Sequence, residues 1–310
     1  MNAFSKPYGN SILALYRNGN YYVRLYKNGT KIRYGKGNFY PDFPENIDLK
    51  ITSYCDGGCP MCHENSSTNG APCDFSLPFF DTLAKGTELA IGGGNPLSHP
   101  KLESFLGRMK KQGVICNITV RQTHLSREKS FVQRLIDEKL VYGVGISFTE
   151  ASDELFSFCK KNENAVIHLI AGIHSAETLE ALADKNLKIL LLAFKHCGRG
   201  KNFYTEETKR REEELKNAFY GYLGRFSVIS LDGAAAEWLK VQKHVFARDY
   251  ALHNMGNEGE FTMYIDAVAK KFSVNSITRE EARYPLSDDI RSMFHVVREK
   301  YENQRKALCV

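Results

Sequence analysis

Between Ile47 and Phe194 short apolar runs alternate with longer amphipathic stretches, and this alternation restricts the fold more than any other feature of the chain. The apolar runs are Ile47–Ser53, Glu88–Gly92, Ile115–Arg121, Tyr142–Phe148, Ala165–Ala171 and Leu187–Phe194. Helical patterns are expected between them at about 76–85, 100–112, 126–139, 151–161 and 175–185. Ser76, Ser126 and Ser175 stand where N-caps belong, because a serine hydroxyl can accept from the unpaired N–H groups of a first turn. Parallel neighbours need a crossover, so strands alternating with helices imply βαβ units. Six such units predict an α/β fold: a partial, TIM-like (β/α)6 barrel, roughly three quarters of a (β/α)8 ring.

The flanks differ from this core. Residues 1–45 are expected to form an N-terminal antiparallel β meander. "SILALYRNGNYYVRLYKNGTKIRYGKGNFY" has Tyr-, Val- and Leu-rich runs separated by Asn18-Gly19, Asn28-Gly29 and Gly35-Lys36-Gly37, and Asn-Gly is a strong hairpin signal. Its faces are expected to divide into an aromatic one and a basic one. "YPDFPEN" then reads as a linker, so the core spans 46–200. Residues 201–310 are expected to be a C-terminal α+β extension. It would hold a charged helix at about 205–222, a possible strand in "RFSVISLD", a hairpin around Ala269-Lys270, and a final helix from about Asp288. Ile290, Met293, Phe294, Val297 and Tyr301 would form that last helix's buried stripe.

The overall balance, 43% hydrophobic and 25% charged, is that of a soluble globular protein. A net charge of +6 permits an acidic or phosphorylated substrate without demanding one. The longest apolar run, Ile189 to Phe194, is too short to cross a bilayer. "MNAFSKPYGN" has no secretory apolar segment, so a cytoplasmic protein without a membrane partner is expected.

Of eight cysteines, Cys73, Cys116, Cys159, Cys197 and Cys309 are scattered. Cys55, Cys59 and Cys62 cluster in "ITSYCDGGCPMCHENSS", directly after the first core strand. Three chemistries suit such a trio. Zinc would need a distant fourth ligand, because no second CxxC exists. A CPxC redox dithiol would use Cys59 and Cys62 and leave Cys55 idle. A four-iron cluster held at three corners would leave one iron open to a small molecule bringing its own amine and carboxylate.

C-x3-C-x2-C on the loop after the first strand of a βα barrel resembles the radical S-adenosylmethionine superfamily, over roughly residues 46–200. The resemblance implies a [4Fe-4S] cluster on Cys55, Cys59 and Cys62, with S-adenosyl-L-methionine as cofactor. It implies an external one-electron donor, flavodoxin- or ferredoxin-like, and hydrogen abstraction from a substrate. Gly93, Gly94, Asn95 and Pro96 match the family's Gly-Gly-Glu-Pro-like turn for the cofactor's ammonium, with Asn95 in place of Glu. Met61 stands where the family has an aromatic against the adenine. Ser147 and Thr149 fall where the family binds ribose or the methionine carboxylate, and Ile170 and Gly172 on its adenine side. Polar residues at the other strand ends are candidate substrate contacts: Gln122, His124, His174, Lys195, His196 and Arg199. Cys197 could serve as a hydrogen donor or as a structural thiol. Two substrate classes fit. One is a peptide or protein residue, which the meander could bind by strand addition. The other is a nucleotide or nucleic acid, which a Tyr-rich basic surface could stack. A small molecule remains a third possibility. The dispersed remaining thiols predict a single cluster.

Overall fold

The computed structural model describes residues 11–308; the first ten residues of the expected meander, and Cys309, lie outside them. A small sheet comes first: β1 (Ile12–Asn18), β2 (Tyr21–Tyr26) and β3 (Lys31–Tyr34), antiparallel in that order. Asn18 pairs with Tyr21, so Gly19-Asn20 makes the first turn. Gly19 sits at φ 57°, where a Cβ would come 1.8 Å from the Tyr40 carbonyl. Asn18 is buried and pins the linker, its Oδ1 accepting from the Asp42 and Phe43 N–H groups at 2.8 and 3.2 Å.

The expected division of the meander into aromatic and basic faces is not what forms. Tyr21 and Val23 pack inward with Tyr16, Phe43 and Phe261, while Tyr22 and Tyr34 stack on the outside. Lys31 and Arg33 turn inward as well, because two acids wait there: Glu45 and Glu88. Buried charge partners outweighed surface solvation.

The main sheet has ten strands. They are β4 (Asn46–Thr52), β5 (Glu88–Gly93), β6 (Ile115–Arg121), β7 (Gly143–Ser147), β8 (Ala165–Ile170), β9 (Lys188–Leu192), β10 (Val228–Leu231), β11 (Thr262–Asp266), β12 (Lys271–Ser273) and β13 (Tyr284–Pro285). The order is β10-β9-β8-β7-β6-β5-β4-β11-β12-β13, parallel from β10 through β11. All six core strands form, and β10 adds a seventh in sequence order. The hairpin at Ala269-Lys270 forms as β11 and β12, and β11 docks in parallel beside β4.

The helices are α1 (Leu102–Gln112), α2 (Gln122–Arg127), α3 (Lys129–Asp137), α4 (Asp153–Lys161), α5 (Ala176–Leu182), α6 (Gly200–Phe203), α7 (Glu206–Ala218), α8 (Gly233–Trp238), α9 (Ala247–His253) and α10 (Ile290–Leu308). The stretch expected as a helix at 76–85 shrinks to a 3-10 turn, Pro78–Thr82, which drops Phe79 and Phe80 into the core. Ser76 binds Asp74 instead of capping it. Ser126 lies inside α2 and donates to Glu154, while Ser175 does cap α5 by position. The stripe on α10 is buried as expected.

The two faces of the main sheet differ. Ile47, Leu49, Ile51, Leu89, Ile91, Ile118, Val120, Val144, Ile146, Ile167 and Leu169 face the helices and are almost fully buried. The alternate residues on the other face include Ala90, Gly92, Asn117, Thr119, Gly143, Gly145, Ser147 and His168, all half-buried, and Asp48, which is exposed. A parallel sheet normally has both faces covered. Here one face is dry and the other, the hollow side, is half-exposed, with small and polar side chains standing beside Val166, Ile170, Leu190 and Leu192.

Candidate active site

The parallel strands all end on one edge of the sheet, and that edge gathers nearly every residue singled out by the sequence. The cysteine loop leaves β4 there. Its base is stitched by backbone bonds, Ser53 N–H to Ala71 at 2.9 Å and Cys55 N–H to Ser67 at 2.9 Å. The three cysteines are half-buried and free. Burial pushes the Cys55 thiol up, while the Gly57 N–H, 3.3 Å from Cys55 Sγ, favours its thiolate.

The loop is braced from two sides. On one, Asp56 is held by His124 Nε2 at 2.9 Å and Arg127 Nη1 at 2.7 Å, both on α2. Its carboxyl consequently lies below the usual range, chiefly through the Arg127 hydrogen bond. Arg121 Nη1 donates to the Gly57 carbonyl. On the other side, the segment after β9 reaches across. Arg199 donates from Nε to the Cys59 carbonyl at 3.0 Å and from Nη1 to the Ser66 carbonyl at 2.9 Å; its own N–H binds the Cys62 carbonyl at 2.9 Å. Gly198, at φ 55°, is needed there, because a Cβ would lie 2.4 Å from the His63 carbonyl.

Among the described residues, Cys55, Asp56 and His124 are the one set of three His, Cys, Asp or Glu ligand atoms within 4.8 Å of one another. Both Asp56 oxygens are already committed to His124 and Arg127, so this set is an ionic brace. The three cysteine sulfurs are not gathered that tightly. Three half-buried free thiols on one loop, one of them accepting an N–H, suit an iron–sulfur cluster, whose sulfurs take such hydrogen bonds. The residues present fit the group.

The turn after β5 packs directly against the base of the cysteine loop. Gly94 and Asn95 donate to the Thr52 and Tyr54 carbonyls, each at 2.7 Å. A Cβ on Gly94 would lie 2.0 Å from the Tyr54 carbonyl, and Gly93 sits at φ 103°. Asn95 is buried, and its side chain accepts from the Leu97 N–H at 3.2 Å, capping the short turn that begins at Pro96. Gly92, by contrast, opens onto free space.

The remaining sequence candidates divide by contact. Gln122 is buried, with Oε1 accepting from Thr149 N–H at 2.9 Å and Nε2 donating to the Glu150 carbonyl at 2.8 Å; it ties the ends of β6 and β7 together. His174 is buried between the Ile170 N–H, 2.8 Å from Nδ1, and the Phe148 carbonyl, 3.3 Å from Nε2. Burial holds its pKa below the ordinary value. Gly172, at φ 77°, packs on Thr208. Lys195 donates to Ser276 Oγ at 3.0 Å, and His196 is exposed against Tyr204. Met61 and Ser147 are half-buried near the rim. Cys197 Sγ lies 3.9 Å from the His63 carbonyl.

Several groups were missed. Lys50 on β4 pairs with Glu64 at 2.9 Å and Asp266 at 3.1 Å, and Tyr264 donates to Glu64 at 3.1 Å. Burial opposes the Glu64 charge, but the His63 hydrogen bond and the Lys50 charge hold its pKa down to about 2. Asp48, Asn117, Thr119 and His168 face the hollow. Burial lowers the His168 pKa to about 4, so its ring is neutral near pH 7. A signal was present: "NIDLKIT", "ICNITVR" and "AVIHLI" each place polar residues at alternate positions, which a sheet covered on both faces would not tolerate.

No family model and no curated protein matches this chain. Solved structures do match. SuiB of Streptococcus suis bound to S-adenosylmethionine aligns with a TM-score of 0.58 at 12% identity, over 90% of this chain and 85% of that one. The chain shares its fold with SuiB. SuiB bound to the precursor peptide SuiA gives 0.58 at 12% identity, over 82% of this chain; the present chain spans 65% of that one's length. A third SuiB structure gives 0.52. At 12% identity the likeness is one of fold.

A groove of about 750 Å³ beside α3 and α4, lined by Lys129, Gln133, Arg134 and Lys161, lies on the outer helical layer away from the strand ends. Among the described residues no helix is long and apolar enough to cross a membrane.

Proposed function

We propose that the chain is a radical S-adenosylmethionine enzyme acting on a peptide or protein residue. The observation that carries this reading is the cysteine loop itself. It sits at the carboxyl end of the first parallel strand, braced on both sides and packed against a Gly-Gly-Asn-Pro turn, in a fold shared with a protein solved with S-adenosylmethionine. The sequential strand order, without reversal, supports reading the sheet as a partial barrel around the hollow. In this reading 46–200 is the core, 1–45 a wall of its mouth, and 201–310 an extension whose strands complete the sheet.

Cys55, Cys59 and Cys62 would hold a [4Fe-4S] cluster. Bound there, the cluster would pass one electron from the external donor to the cofactor's sulfonium, and the two groups would so supply the reductive C–S cleavage that lets a hydrogen atom be taken from a substrate C–H bond. The protein's part is to position and to exclude water. The Gly57 N–H stabilises the Cys55 thiolate. Arg199, His124 and Arg127 fix the loop. Gly92 leaves room beside it, while the Gly93–Pro96 turn, Met61, Ser147, Thr149, Ile170 and Gly172 form the surroundings assigned to the cofactor. Asn95 contributes through its backbone and the turn it caps, since its side-chain oxygen is already engaged. His196, exposed against Tyr204, and Lys195, bound to Ser276, are assigned to substrate contact at the rim. Gln122, His124, His174 and Arg199 are assigned to positioning, through the contacts they already make. The electron donor would be an external flavodoxin- or ferredoxin-like protein.

A peptide substrate is favoured over a nucleic acid because Lys31 and Arg33, two of the meander's cations, are spent on Glu45 and Glu88. The test is anaerobic reconstitution with iron and sulfide, then reduction with dithionite in the presence of S-adenosylmethionine. The wild type should turn brown, hold about four irons per chain and release 5′-deoxyadenosine. The triple Cys55→Ala, Cys59→Ala, Cys62→Ala variant should do none of these. A colourless protein carrying one zinc would overturn the reading.

A further inference from the structure

Lys50 on β4 stands opposite Asp266 on β11, and their side chains pair at 3.1 Å. Glu64, two residues past Cys62, reaches the same ammonium at 2.9 Å. The Tyr264 hydroxyl, also on β11, donates to Glu64 at 3.1 Å. Arg283 Nη1 lies 3.6 Å from Asp266, with its guanidinium 5.0 Å from the centre of the Tyr264 ring. Asp266 is fixed in turn by the Val268 and Ala269 N–H groups, at 3.1 and 2.9 Å. The Lys50 stem passes Gly93, where a Cβ would come 2.7 Å from Lys50 Cγ. The side chains of Lys50 and Glu64 are each 9% exposed and that of Asp266 4%, and Tyr264 is buried.

Two cations thus meet two carboxylates inside the fold. Such a network adds little stability over apolar packing of the same volume, because each charge has given up its water. What it supplies is geometry: its members are satisfied in one arrangement, and displacing one leaves the others unpaired. Lys50, Tyr264 and Asp266 are anchored in the sheet, whereas Glu64 belongs to the cysteine loop. Residues 62–65 make one turn, with the Asn65 N–H 3.5 Å from the Cys62 carbonyl. A fixed Glu64 therefore fixes the turn that carries Cys62. The opposite end of the loop, beside Cys55, is held separately by α2 through Asp56.

We propose that Glu64 and Tyr264 are positioning residues for Cys62. Through them β11, a strand of the C-terminal extension, sets where the last thiol of the trio stands. The extension is then a working part of the cysteine site as well as a continuation of the sheet. The placement is a property of the empty chain; what Cys62 holds there rests on the metal site proposed above.

The test is site-resolved alkylation of the reduced, metal-free full chain with iodoacetamide, read by mass spectrometry. The thiolate displaces iodide and forms a thioether, so the rate at each cysteine follows its ionisation and access. Tyr264→Phe keeps every charge and removes only the hydroxyl. It should raise the Cys62 rate by about threefold or more and leave Cys55 unchanged. Glu64→Leu should raise it further. Phe272→Leu, on β12, removes core packing from the same extension without touching the network. It should lower the melting temperature and leave the Cys62 rate as in the wild type. An unchanged Cys62 rate in Tyr264→Phe, a rise shared equally by Cys55, or the same rise in Phe272→Leu would overturn the proposal. If either network variant does not fold, the other decides. A wild type that assembles no cluster on reconstitution would defeat the functional reading, while the alkylation rates, read without metal, decide this one separately.

Discussion

Glu45 and Asp48 are three residues apart at the start of one strand, and their surroundings are opposite. Glu45 is fully buried between sheets. Tyr21 donates to it at 2.5 Å and Arg33 Nε at 2.7 Å, with Lys31 Nζ 3.2 Å from its other oxygen, placed to pair charge although not aligned as a hydrogen bond. Asp48 is exposed and makes no ion pair among the described residues, although the Lys195 charge acts on it. An acid whose partners come from the same chain joins two parts of a fold. An acid left in water joins nothing. The difference can be broken from either side.

The largest effect is expected at Glu45. Glu45→Gln would leave Arg33 without a carboxylate and Lys31 with Glu88 alone, and should cost about 3–5 kcal/mol in denaturant unfolding. Burial opposes the Glu45 charge, but Lys31 and Arg33 together hold its carboxyl below the usual range. Its folded pKa is therefore depressed. Its contribution is complete above the unfolded value of about 4.3 and is lost as pH falls through the folded one. Wild type should lose stability more steeply than Glu45→Gln over that acid window. Parallel acid profiles would place the seam's strength in Tyr21 and Phe261 packing instead.

This contrast also marks what the sequence could reveal. The six core strands and their parallel order followed from apolar runs, because burial on the helix side demands Val, Ile and Leu whatever the function. The cysteine trio was visible because thiols so close together are rare outside metal or redox chemistry. The partners of Glu45 were not visible. Lys31 and Arg33 read as surface cations, and only the docking of the small sheet on β4 and β5 turns them inward. Gly93 and Gly94 were expected to make room for a ligand. They make room first for the Thr52 and Tyr54 carbonyls, a contact between segments some forty residues apart. Arg199 read as a substrate contact, whereas it spends its guanidinium on Cys59 and Ser66 carbonyls some 140 residues earlier.

The same division separates adjacent residues on β6. Ile118 faces the helices at 1% exposure, and Thr119 faces the hollow beside Gly145 and His168. Ile118→Ala should cost about 2–5 kcal/mol through lost burial and the cavity left behind. Thr119→Ala should change stability by about 0.5 kcal/mol or less. Equal costs would mean that the inner face is packed and that no hollow exists in solution.

The smallest effect is expected at Asp48, and its sign is the informative part. Loss of solvation raises its folded pKa, so the carboxylate form weighs against folding. That cost is complete above the folded pKa and vanishes as pH falls below the unfolded value of about 3.9. Asp48→Asn should therefore be slightly more stable than wild type at neutral pH, by less than about 1 kcal/mol because water still reaches the group, and the advantage should disappear in acid. A destabilised variant would mean that Asp48 has a partner within the fold, as Glu45 does.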